Sequence, residues 1–142
     1  MAIIYANPQD LITHGPVIEI HVQPSEHIIK TLAGGKKQIP TERTIGLIDT
    51  GATRTCIDDS IAQALKLKPH DKIKVHTPDG ETEQFLYDAT LYFTAIGNTP
   101  YSVSVLGANL TGQPYGALLG RDFLSLGVLI YSGFQNQWKF CI

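Results

Sequence analysis

One carboxylate, set where an apolar strand runs into a small-residue turn, is the residue in this chain best placed to do chemistry. Ile45, Leu47 and Ile48 lead into Asp49-Thr50-Gly51-Ala52-Thr53-Arg54-Thr55. A carboxylate at the end of a buried strand is costly unless hydrogen bonds or a partner compensate it. Thr50 offers a hydroxyl, and Gly51 lets the backbone turn sharply or approach another group closely. Asp49 held in that way can take or give a proton, so acid–base catalysis is the chemistry to expect. The plainer alternative is a strand ending in a tight turn capped by Asp and Thr. Far downstream stands a second string, Ala117-Leu118-Leu119-Gly120-Arg121-Asp122-Phe123-Leu124, again an apolar strand, a glycine and a helix-like run.

The elements that must position these strings are short and mostly extended. Ile18, Ile20 and Val22 alternate with Glu19 and His21, the pattern of a half-exposed strand. Pro24 to Pro40 is a polar connector with a short apolar middle (Ile28, Ile29, Leu32), read as a long hairpin or surface excursion. Asp58-Asp59-Ser60 caps a helix carrying Ile61, Ala64 and Leu65 on one side, with Pro69 ending it. Capping accounts for the acidic pair more simply than a metal site does. Ile73 and Val75 mark a strand, Thr77-Pro78-Asp79-Gly80 has the composition of a type I turn, and Phe85, Tyr87, Ala89, Leu91 and Phe93 alternate beyond it. That is a hairpin with a polar tip.

After a turn at Gly97-Asn98-Thr99-Pro100, Tyr101, Val103 and Val105 form another strand, and residues 108–116 are loop-like. A short helix over Asp122 to Leu126 stops at Gly127, Val128 to Tyr131 reads as a buried strand, and Trp138 to Ile142 as a final one. The sequence strand, glycine, helix, turn thus occurs twice, as in an all-β fold built from two related halves. Many short strands separated by turns suit a closed β-barrel or a sandwich.

Composition narrows the function classes. The 142 residues are one domain by length, with 43% hydrophobic and 17% charged residues. A net charge of −2 without clustered Lys and Arg argues against a nucleic-acid surface. Lys36-Lys37, Lys66, Lys68, Lys72 and Lys74 read as solvated faces. Cys56 and Cys141 are too few for a disulfide framework, and no histidine sits at ligand spacing, so no metal and no cofactor are expected. Cys56 reads as a buried thiol. No apolar run reaches the roughly 20 residues of a membrane span. No secretion signal is visible in the first residues, so a reducing, cytoplasmic setting is expected. Residues 1–16 are either a removable leader or an interface strand.

The pair Asp49-Thr50-Gly51-Ala52 and Leu119-Gly120-Arg121-Asp122 resembles the aspartic peptidases of the retropepsin type. The resemblance runs from about Ile18 to Ile142, and only the two motifs are specific. It implies an all-β fold, a closed β-barrel of the acid-protease type with one or two short helices. It also implies that Asp49 is catalytic and that Thr50, Gly51 and Ala52 support the active-site loop. Thr50 would bond across a two-fold axis, and Gly51 would offer backbone groups to substrate. The hairpin tip Thr77, Pro78, Asp79 and Gly80 would be a flap, Leu119-Gly120 a wedge beneath the Asp49 loop, and Arg121 a buried ion-pairing residue. This chain departs from the viral pattern in carrying Thr53-Arg54 where an acidic residue would pair with that arginine. Arg121 must then find Asp122, a hydroxyl or a backbone carbonyl. A long connector and Pro78 in the tip are features of the cellular or bacterial branch.

Hydrolysis by carboxylates needs two of them around one water, one ionised and one neutral. The chain has one Asp-Thr-Gly, and neither Asp79 nor Asp122 is a second copy. The expected protein is therefore a homodimeric aspartic endopeptidase acting on a peptide or protein, with Asp49 of each copy facing the other. Trp138 to Ile142 and an N-terminal strand are the expected interface strands. The alternative is a catalytically silent member of the same fold that binds peptides or a partner. A phosphate loop of the actin or sugar-kinase kind, loosely matched by Asp49, Gly51 and Thr53, needs two domains and a second loop that these residues do not hold.

Overall fold

A computed structural model describes residues 1–5, 10–97 and 99–142. Part of the chain start (residues 6–9) and Asn98 of the expected turn lie outside the described residues. In chain order the elements are β1 (Ile3–Ile4), α1 (Leu11–His14), β2 (Val17–Pro24), α2 (Glu26–Gly34), β3 (Glu42–Ile48), β4 (Cys56–Asp58) and α3 (Asp59–Ala64). They continue as β5 (Pro69–Thr77), β6 (Gly80–Phe93), a 3-10 turn (Thr94–Ile96), β7 (Pro100–Ala108), β8 (Ala117–Leu119), α4 (Arg121–Leu124), β9 (Val128–Ser132) and β10 (Gln137–Cys141). The protein is mostly β, with four short helices among the described residues rather than one or two.

Strict alternation fixes β2: Ile18, Ile20 and Val22 point into the core while Glu19 and His21 face outward. β2 pairs antiparallel with β3 on one side and with β6 on the other. The larger sheet runs β2-β3-β8-β4-β7-β6-β5, and the β2–β6 pairing brings it back on itself as a ring of pairings. Within that ring β3 and β8 run parallel, with Ile48 opposite Leu119, so the two sequence motifs lie side by side. The second sheet, β1-β10-β9, is antiparallel. Phe123 of α4 joins the two sheets, with its ring centre 5.2 Å from Phe93 and 5.4 Å from Phe140.

Two expectations are corrected. The 24–40 connector is not a hairpin: Ser25 accepts from the Ile28 amide and caps α2, and Glu26 sits in the first turn. Ile28, Ile29 and Leu32 are the apolar positions of that helix, yet none of its residues is buried. β9 is not a buried strand either, because Val128, Ile130 and Tyr131 are each at least half exposed. Its apolar run identified a strand, but only one face of the three-stranded sheet has a core to cover it.

The cap at Asp58 is as expected, with its side chain accepting from the Ser60 amide at 3.3 Å. α3 stops before Pro69, where Lys66 takes a left-handed conformation (φ 52°) and Leu67 N–H donates back to the Ala62 carbonyl. α4 starts one residue earlier than expected and ends two residues earlier, at Leu124 with Ser125 rather than Gly127 as its C-cap, while Gly127 N–H donates back to the Leu124 carbonyl. Among the described residues no helix is long and apolar enough to cross a membrane.

Candidate active site

β3 ends at Ile48, and the chain turns at once. Asp49 N–H donates to the Leu119 carbonyl at 3.0 Å, which fastens the start of the loop to β8. The Asp49 Oδ1 atom accepts from the Gly51 amide at 2.9 Å, and Ala52 N–H closes the turn on the Asp49 carbonyl at 3.2 Å. An Asx-type bond of this kind both orients the carboxylate and defines the turn. In the single chain Asp49 is half-buried rather than buried, and Thr50 and Gly51 are exposed.

α4 holds the loop from below. Arg121 N–H donates to the Ala52 carbonyl at 2.9 Å. The Arg121 guanidinium donates through Nη1 to the Thr50 carbonyl at 2.8 Å and through Nη2 to the Thr53 hydroxyl at 3.0 Å. Of the partners left open by the sequence, a backbone carbonyl and a hydroxyl are therefore the ones used, and Arg121 is an exposed residue bonded to neutral groups rather than the buried ion-pairing residue expected. Asp122 turns the other way, onto Thr55. The Thr55 amide donates to Asp122 Oδ1 at 2.9 Å and to Oδ2 at 3.0 Å, and the Thr55 hydroxyl donates to Oδ1 at 2.8 Å. Asp122 Oδ1 also accepts from the Phe123 amide at 2.7 Å, and the Thr55 hydroxyl oxygen accepts from Gly120 N–H at 3.2 Å. Thr55 is fully buried, so this set of bonds is what makes its burial tolerable.

Gly120 must be glycine for steric reasons. A Cβ there would lie 2.5 Å from the Arg54 carbonyl carbon and 2.9 Å from the Thr55 amide nitrogen. Leu119 is buried beneath the loop. The sequence signalled Leu119, Gly120, Arg121 and Asp122. It noted Thr53 as a departure from the viral pattern and did not single out Thr55, and the roles of both are visible only once residues 53–55 and 120–122 are brought together. The only sequence signal for them was the run of hydroxyls after Ala52.

The other wall is the β5–β6 hairpin. Thr77 pairs with Gly80 at its tip, the Thr77 hydroxyl donates to the Gly80 carbonyl at 2.9 Å, and Gly80 has φ 125°, a value suited to glycine. Between hairpin and loop lies a cavity of about 570 Å³, lined by Ala52, Thr53, Cys56, Ile73, Val75 and Leu118 among others. Its lining is mainly apolar, with polar groups on both sides, Thr53 and Arg54 from the loop and Lys74, His76 and Gln84 from the hairpin. Burial pushes the Cys56 thiol up to about 11, and the nearby Asp122 and Asp49 carboxylates add to the shift. Cys56 is half-buried and, like Cys141, a free thiol. Among the described residues no three His, Cys, Asp or Glu side chains converge as metal ligands would.

A mostly β chain with an Asp-Thr-Gly-Ala loop clamped by a Gly-Arg-Asp turn has the make-up of an aspartyl protease of the retropepsin-like class. The family described as "gag-polyprotein putative aspartyl protease" matches residues 36–126, well over half of the chain, and the chain belongs to it. The solution structure of Simian Foamy Virus (mac) protease is similar at 20% identity and a TM-score of 0.45, over 58% of this chain and 81% of that one. No curated protein matches the chain.

Proposed function

We propose that this protein is an aspartic endopeptidase whose catalytic centre is assembled from Asp49 of two copies. The observation that carries the reading is the loop itself: one carboxylate, oriented by the Gly51 amide, on a loop that Arg121 holds through the Thr50 carbonyl and whose residues Gly51 to Arg54 line a largely apolar cavity beside a hairpin. Two carboxyls held close cannot both ionise, so they share a proton and titrate as a pair. The ionised partner takes a proton from water, the water oxygen attacks the peptide carbonyl, and the neutral partner protonates the carbonyl oxygen; the C–N bond then breaks as the first carboxyl passes its proton to the leaving nitrogen and the second takes one back from a hydroxyl of the adduct, restoring the shared proton. Activity on the acid side of neutrality follows from that shared proton.

In this reading Thr50 bonds across the axis, Gly51 and Ala52 present backbone groups to an extended peptide, and Thr77, Pro78, Asp79 and Gly80 are the tip of a flap. Leu119, Gly120, Arg121 and Asp122 fix the loop without touching substrate. Ile73, Val75, Leu106 and Leu118 accept an apolar side chain beside the scissile bond. Residues 1–142 act as one domain, and the ring of strands is a closed barrel. The missing acidic partner of Arg121 and the Pro78 tip support a cellular or bacterial rather than viral relationship. A cytoplasmic setting fits the two free thiols.

Peptide-library cleavage by the wild type and by Asp49→Asn across pH, with sedimentation on both, tests the proposal. The expected result is acid-side cleavage by a dimeric wild type and none by a folded, dimeric Asp49→Asn. Undiminished hydrolysis by Asp49→Asn overturns it.

A further inference from the structure

Resting on the peptidase reading above, we propose that Arg54 selects the substrate, favouring peptides that carry a glutamate or aspartate side chain next to the bond to be cut.

Arg54 belongs to the same loop as Asp49 and lines the cavity beside the hairpin. Its neighbours are engaged on the α4 side, Thr53 by the Arg121 guanidinium and Thr55 by the Asp122 carboxylate. The alternate positions, Arg54 and Cys56, are left to the cavity. The chain's other arginines are committed: Arg43 bonds Glu19, and Arg121 holds the Thr50 carbonyl and the Thr53 hydroxyl. Arg54 is exposed, and among the described residues its guanidinium has no ion pair and no hydrogen-bond acceptor.

The charge around it has one sign. Among the described residues no aspartate or glutamate lines the cavity, whereas Lys74 and His76 do so from the hairpin. The hairpin's own carboxylates are taken, Glu83 by Lys72 and Glu81 by His76, with 3.5 Å between His76 Nδ1 and Glu81 Oε1. Lys74, like Arg54, has no ion pair among the described residues. The cavity thus combines an apolar floor of Ile73, Val75 and Leu118 with two unpaired cations, one on the loop and one on the hairpin.

A peptide lying along this cavity takes water away from Arg54. A guanidinium covered without a partner costs free energy, while one covered against a carboxylate forms a charge-assisted, two-pronged pair. The cost falls on neutral and basic peptides, so the site discriminates by penalty as well as by attraction. The catalytic pair, sharing one proton, carries one negative charge that repels an acidic side chain unless a cation offsets it. Arg54 supplies that cation from the Asp49 loop itself. At about 570 Å³ the cavity has the size that holds a drug-sized molecule. It can take an apolar side chain on its floor and the stem of a neighbouring glutamate, whose carboxylate then meets Arg54.

Rates on matched peptides test the inference. Short blocked peptides of alanine and leucine carry one Glu, Gln or Lys, moved position by position along the peptide. The readout is kcat/KM near pH 6, where a glutamate side chain is ionised. Wild type should cut the best Glu peptide about tenfold faster than its Gln counterpart, with Lys slower still. Arg54→Gln should bring the Glu-to-Gln ratio within about twofold of one, and Arg54→Glu should make the Lys peptide the preferred substrate. The ratio is taken within one preparation, so a variant that folds poorly lowers both rates and leaves the ratio intact. A wild-type ratio near one, or a preference that survives in Arg54→Gln, overturns the role of Arg54 and leaves the two-carboxylate mechanism standing. If the wild type cuts no peptide, the peptidase reading falls, and calorimetric binding of the same Glu and Gln peptides takes the place of rates. Tighter binding of the Glu peptide, lost in Arg54→Gln, then upholds the site; equal binding or none overturns it too.

Discussion

Removing the Asp122 carboxylate isolates the bonds that fix the base of the Asp49 loop. In Asp122→Ala the Thr55 amide and hydroxyl lose their acceptor, and Thr55 is fully buried. A buried donor left unpaired costs about 1–3 kcal/mol. The Thr55 hydroxyl can still accept from Gly120 N–H, but the Phe123 amide of buried Phe123 loses its acceptor too, so three orphaned donors set the scale. The expected loss is about 3 kcal/mol, or about 6–12 °C in Tm for a chain of this size. Urea unfolding of wild type, Asp122→Ala, Thr55→Val and the double variant measures it. Thr55→Val removes the hydroxyl and keeps the amide, so the cycle should give a coupling of about 1 kcal/mol or more. A loss under about 1 kcal/mol for Asp122→Ala, or additivity within about 0.5 kcal/mol, refutes the assignment of Asp122 as the anchor of Thr55.

Gly120→Ala should cost about 2 kcal/mol or more, since its Cβ meets the Arg54 backbone, and should depress peptidase activity beyond the stability loss; thermal melts and initial rates check both. Asp58→Ala removes the α3 cap and the acceptor of the Leu110 amide, bonded at 2.7 Å, with an expected loss of about 1 kcal/mol by urea unfolding. The Ser60 hydroxyl, then the Leu110 amide, hold the Asp58 carboxyl below the usual range. Its folded form thus gives up its proton more readily than the unfolded form, so its contribution is complete above the ordinary carboxylate range and fades as pH falls through and below it. Asp58→Asn should flatten that part of the acid unfolding curve. Cys56, pushed up to about 11, should react with iodoacetamide near pH 8 about a hundredfold more slowly than an unfolded control.

What the sequence made legible was local. The Asp49 turn, the Asp58 cap and the Thr77–Gly80 hairpin each depend on residues a few positions apart, and each stands where expected. The bonds between residues 53–55 and 120–122 were out of reach because nothing in the identity of Thr55 names Asp122 as its partner. Helix α2 was hidden by polar composition and glycines, although Ser25, Glu26 and the spacing of Ile28, Ile29 and Leu32 were all present. β9 failed differently: an apolar run announces a strand but not which side of it meets a core.

Strand β6 divides its fourteen residues between two mechanical roles. From Leu86 onward it pairs with β7, and from Ala89 with β2 as well, whereas residues 80–85 pair with β5 alone. The result is a cantilever: a two-stranded beam projecting from a root clamped on both sides. Bending such a beam disturbs few core contacts, so its outer part is less firmly tied to the rest of the molecule than its root. Substitutions near Lys74 and Glu83 would retune the stiffness of the beam, while those near Leu91 would loosen the mounting itself.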